Sequence, residues 1–175
     1  MSLRDLKLIL VPTDFGPTSA KALEAAIDLG RLTKAALEIL HVNTEAIWAM
    51  PPPGDILPAV DVAEVLAEAA VQLEATVARV RAAGLSCTGT SEVGRTDAQI
   101  VEYARKRNVG LIVVGSHGRH GLSHAIIGSV AEKVVRHAPC PVLVVPPLVE
   151  ASALDRLDDE TPAMVGNPEA ISAPA

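Results

Sequence analysis

Short apolar runs alternate with longer amphipathic runs along this chain, and that alternation limits the fold more than any single residue does. Leu8 to Val11, Ala36 to Asn43, Cys87 to Val93, Leu111 to Val114 and Val142 to Val145 have the length and apolar character of strands. Between them, Ser19 to Leu32, Val60 to Ala83, Thr96 to Arg107 and Ser129 to His137 carry helical spacing. In the longest of these, Val62, Val65, Leu66, Ala69, Leu73, Val77 and Val80 advance in steps of three and four onto one face. Gly84 is placed to end that helix with a positive φ. Strands joined by helices imply right-handed crossovers and a mainly parallel sheet. The expected fold is α/β: a single-domain, Rossmann-like open sheet of about five strands with helices on both faces. Hydrophobic residues make up 49% of the 175 and aromatics only 2%. The core must therefore be Val, Leu, Ile and Ala, which suits a sheet covered on both sides.

The formal net charge of −6 is unevenly distributed. Residues 148–175 hold Glu150, Asp155, Asp158, Asp159, Glu160 and Glu169 against Arg156 alone, which is −5 and leaves −1 for residues 1–147. The division expected is a folded domain over 1–147 and an acidic Ala/Pro-rich tail over 148–175. The near-neutral domain lacks the clustered positive footprint of a nucleic-acid binder. No apolar run reaches the roughly 18 residues of a membrane span, and Met1-Ser2-Leu3-Arg4-Asp5 has no secretory signal character. A cytoplasmic protein is expected. Cys87 and Cys140 form no C-x-x-C pair and read as reduced thiols.

Function is carried by Val113-Val114-Gly115-Ser116-His117-Gly118 and, farther on, Gly128-Ser129. A strand runs into a glycine-punctuated loop that feeds a helix start. Glycines admit close backbone approach, and the first turn of a helix offers free N–H groups and partial positive charge to an anion. The spacing fits neither a P-loop nor G-x-G-x-x-G. A phosphate cradle is one reading; strand-to-helix turns that merely use glycine are the other. Asp14, Val42 and Gly115 all fall at or beside predicted strand C-termini, the edge where open sheets bind ligands. Asp14 suits ribose hydroxyls or helix capping, and Thr18 and Ser19, nearer the expected helix start, are placed to take the capping role. Phe15, in the turn after Asp14, either narrows the space beside it or packs.

Gly115, two residues, Gly118, nine residues, then Gly128-Ser129 resembles the nucleotide-binding signature of the universal stress protein family. Val11-Pro12-Thr13-Asp14 near the start and Ala138 to Pro146 at the end are similar to that family's opening turn and closing strand. The resemblance spans about residues 5 to 147. It implies that Asp14 holds the ribose while Pro12, Thr13 and the backbone of Val42 border the adenine. It also implies that Gly115, Ser116, His117, Gly118, Arg119 and Gly121, with Gly128, Ser129, Val130 and Ala131, wrap the phosphates of ATP. Mg²⁺ would bridge those phosphates. Arg119 is the nearby permanent cation. Family members of this kind pair their last strand across a homodimer, here Val142 to Val145, whose apolar edge would otherwise stand bare.

No His–carboxylate pair is legible, so the expectation is a nucleotide-dependent sensor or regulator with at most slow ATP hydrolysis or self-phosphorylation. The competing reading is a stress-response interaction module that binds no nucleotide. An ATP pyrophosphatase-like ligase would call for a Ser-Gly-Gly loop after the first strand, where this chain has Asp14-Phe15-Gly16-Pro17. His117, His120 and His124 match no closed zinc spacing, so no metal site is expected of them. The stretch from Thr44 to Ala59, with Trp48 and three consecutive prolines, reads as a surface loop or as a lid.

Overall fold

The computed structural model describes residues 6–44, 62–116 and 127–147. Five strands and four helices follow in the order β1 (Leu8–Thr13), α1 (Pro17–Thr33), β2 (Ala36–Asn43), α2 (Val62–Ala82), β3 (Cys87–Val93), α3 (Thr96–Lys106), β4 (Leu111–Gly115), α4 (Ser129–His137) and β5 (Val142–Val145). All pairings are parallel and the strand order is β3-β2-β1-β4-β5. The expected five-stranded open sheet is what forms.

Each face of the sheet carries its own core. Ile9, Val11, Leu37, Ile39, Leu111 and Val113 meet Ala22, Leu23, Ala26 and Ile27 of α1 and Leu73, Val77 and Val80 of α2. Leu10, Leu40, Val42, Ile112 and Val114 meet Ile100 and Ala104 of α3 and Ala131 and Val134 of α4. Adjacent residues of a strand alternate between the two cores, because side chains of a strand point to opposite faces. Each fully buried Ile or Leu here contributes about 2 kcal/mol through water exclusion, and Ile9, Leu10, Ile39, Leu40 and Ile112 are all completely covered. Among the described residues no helix is long and apolar enough to cross a membrane.

The helix ends follow local chemistry. Gly84, with φ +86°, turns the chain after α2 as its position implied. Lys34 closes α1 in the left-handed region at φ 61°. The start of α1 corrects the expectation. The helix begins at Pro17 with Gly16 at the N-cap position and no side-chain cap, so Thr18 and Ser19 lie inside the first turn and do not cap it. Proline, with its preset φ and missing N–H, fits the first helical position. Ser19 instead donates its hydroxyl to the Gly16 carbonyl at 2.9 Å.

Candidate functional site

Strand order reverses between β1 and β4: the chain first winds outward through β2 and β3, then returns to the other side of β1. The ladder between these two strands is short. It holds Ile9 to Leu111 and Leu10 to Ile112 and stops there, whereas β1 and β2 pair over six positions from Leu8 to Thr13. The C-terminal ends of β1 and β4 thus extend beyond their mutual pairing, at the point where open α/β sheets place ligands.

Asp14 follows β1 at this end. Its Oδ1 accepts the Gly16 N–H at 3.0 Å, an Asx turn that leads the chain into α1. Thr13 Oγ1 accepts the Phe15 N–H at 3.0 Å and donates to Ser19 Oγ at 3.2 Å. Pro12 is buried, and Val42, on the neighbouring strand, faces the α3–α4 core.

Opposite Asp14, β4 ends at Gly115. A Cβ there would come within 3.0 Å of the Thr18 backbone carbon and oxygen, and Gly115 is not among the described positive-φ glycines. A side chain there would press on the close-lying backbone of α1. Ser116, only 5% exposed, donates its N–H to the Val145 carbonyl at 2.8 Å. Its own carbonyl accepts the Gly128 N–H at 2.7 Å. That bond draws the start of α4 up to the end of β4. Gly128 has φ −61° and ψ 152°, backbone open to any residue, and no side chain caps the helix. The first intrahelical bond runs from the Glu132 N–H to the Gly128 carbonyl at 2.9 Å. The N–H groups of Ser129, Val130 and Ala131 therefore precede the hydrogen-bond ladder and form the donor-rich, positive end of α4.

Pro12, Thr13, Asp14, Val42, Gly115, Ser116, Gly128, Ser129, Val130 and Ala131 are thus gathered at one edge of the sheet by four different elements. His117, Gly118, Arg119 and Gly121 of the proposed phosphate loop lie outside the described residues, as do His120, His124 and residues 45–61. His137, in the last turn of α4, has Nδ1 2.8 Å from the Lys133 carbonyl.

One feature escaped the sequence reading. Phe15 packs against the α1–α2 core and stacks on His41, with ring centroids 4.5 Å apart. The two residues lie 26 positions apart in sequence, and only the pairing of Thr13 with His41 brings them together. That contact is the packing named in one of the two readings of Phe15.

The family model described as "Universal stress protein family" matches residues 6–146. The chain belongs to the universal stress protein family. Universal stress protein YxiE of Bacillus subtilis is 34% identical over 143 residues, covering 78% of this chain and 97% of that protein. The solved structure of MJ0577 from Methanocaldococcus jannaschii superposes with a TM-score of 0.69 at 28% identity, over 82% of this chain and 98% of that one. A universal stress protein solved in complex with cAMP aligns with a TM-score of 0.61 over 82% of this chain and 98% of its own; at 24% identity it attests the shared fold.

Proposed function

We propose that this chain is a cytoplasmic, homodimeric ATP-binding universal stress protein acting as a nucleotide-dependent sensor or regulator. One observation carries the reading: the uncapped start of α4 is held by Gly128 against the end of β4, beside the ends of β1 and β4 that run on past their pairing with each other. An anionic group fits that arrangement, because free N–H donors and the helix dipole converge there. The acceptor-rich side chain at the same edge of the sheet is Asp14, suited to ribose hydroxyls. In this reading Pro12, Thr13 and Val42 border the adenine. Gly115, Ser116, Gly128, Ser129, Val130 and Ala131 surround the phosphates, together with His117, Gly118, Arg119 and Gly121. Mg²⁺ bridging those phosphates would supply charge neutralisation. With no legible general base, turnover is slow hydrolysis or self-phosphorylation at most.

The test is calorimetric titration of purified, nucleotide-stripped protein with ATP and Mg²⁺, with GTP as control. Micromolar ATP affinity with GTP much weaker is expected. Gly128→Val adds bulk where the backbone itself requires no glycine, and should raise the dissociation constant at least about tenfold, or about 1.4 kcal/mol, without unfolding the chain. Absence of ATP binding by folded, stripped wild type would overturn the proposal. The chain would then be an interaction module whose glycines serve only its turns.

A further inference from the structure

Three non-glycine residues among those described have positive φ: Lys34, Asn108 and Phe15. Lys34 caps α1 and Asn108 follows α3, places where left-handed backbone closes helices. Phe15 has no such reason. At φ 61° a bulky aromatic is an outlier, and strain of this kind persists only where the surroundings over-determine it.

The surroundings do so here. The Phe15 ring lies on the His41 ring with an interplanar angle of 29°. His41 Nδ1 is 2.9 Å from the Thr13 carbonyl oxygen, so Nδ1 carries the hydrogen and donates, fixing the imidazole in place. The Phe15 N–H is bound by Thr13 Oγ1, whose hydroxyl donates to Ser19, whose hydroxyl in turn donates to the Gly16 carbonyl. The same left-handed turn aims the Gly16 N–H at Asp14 Oδ1. Asp14 is thus flanked by a residue locked through its hydroxyl and a residue locked through its ring. His41 alternates with Leu37 and Ile39 on the α1–α2 face, the opposite side from Val42.

We infer that the Phe15–His41 stack is a positioning device that holds the Asp14 carboxylate through the Gly16 N–H, and so sets affinity for the nucleoside part of the ligand. The affinity half of this inference rests on the nucleotide reading above; the positioning half does not.

Three full-length variants test it. Phe15→Gly keeps the left-handed turn at ease and removes the ring. His41→Ala removes the stacking partner, and His41→Phe restores an aromatic partner without the donor to Thr13. In ligand-free protein, the Gly16 amide should lose hydrogen-exchange protection in Phe15→Gly and His41→Ala and keep it in His41→Phe. In calorimetry the first two should bind ATP about fivefold to tenfold more weakly, the upper figure being about 1.4 kcal/mol. Inorganic tripolyphosphate should bind them as it binds wild type, and His41→Phe should bind ATP like wild type.

An unchanged Gly16 amide in a folded Phe15→Gly protein overturns the positioning role. Equal losses for ATP and tripolyphosphate overturn the nucleoside assignment. If wild type binds no ATP, the nucleotide reading fails, and the amide comparison alone decides whether the stack holds Asp14.

Discussion

Gly115 shows why a motif residue must be read in three dimensions. Its place in a glycine pattern suggests ligand approach, yet a Cβ there would press on the Thr18 backbone whether or not a ligand is present. Gly128 differs, since its backbone suits any residue. Cys87 is another residue whose behaviour depends on its surroundings. Burial pushes its thiol from the ordinary 9.0 up to about 11, with Arg81 pulling it down and Glu38 adding to the rise. The folded protein therefore holds this proton more tightly than the unfolded chain does. Its contribution to stability is complete below pH 9 and is lost as pH climbs toward 11. Urea midpoints measured at pH 8 and pH 10.5 should fall more for wild type than for Cys87→Ala; equal falls would show that the buried thiol plays no part. Cys140 is also raised by burial and moves in the same direction, so the comparison with Cys87→Ala is what isolates the one thiol.

At the scale of elements, a buried polar cluster ties α3 to the sheet. Glu38, on β2, is only 2% exposed. It accepts the Tyr103 hydroxyl at 2.9 Å and Arg107 at 3.0 and 3.3 Å, with Thr88 at 3.4 Å. Tyr103 spends its one hydrogen on Glu38, so the 2.8 Å contact with Thr90 has Thr90 as donor. A carboxylate this deep is tolerable only when its oxygens are satisfied. Burial, ahead of the other influences, also raises the Tyr103 pKa. Tyr103→Phe should cost about 1–2 kcal/mol, seen as a lower urea midpoint with an unchanged slope; wild-type stability in that variant would remove the hydroxyl from the account. The sequence reading passed over Glu38. In a strand buried on both faces, such as Ala36 to Asn43, no alternation marks which side a residue takes, and its partner Arg107 lies 69 positions away. A lone acid inside an apolar run was the available signal.

For the whole molecule, β5 is one of the two outer strands of the sheet. Among the described residues it pairs with β4 alone, and Leu143 is 39% exposed. The proposed homodimer would cover this edge, which otherwise invites indiscriminate strand pairing. Sedimentation equilibrium at micromolar concentration should show a dimer for wild type and a monomer for Leu143→Lys. A monomeric wild type would refute the proposed dimer, and a dimeric variant would move the interface away from β5.

The elements and their order are legible in the sequence alone. Apolar periodicity and Gly84 past the end of α2 are local signals, read within a few residues of where they act. The sequence also brought Asp14, Val42 and Gly115 to strand ends, because strand polarity follows from right-handed crossovers. The start of α1 was missed by two residues, since Pro17 at the first turn is as local a signal as Ser19 and the stronger one. The strand order β3-β2-β1-β4-β5, the short β1–β4 ladder, the stack of Phe15 on His41 and the close approach of α1 to Gly115 come from packing alone. Each of these joins segments distant along the chain. Periodicity says that a residue is buried or turned, but the neighbour it meets is settled by how separate elements pack.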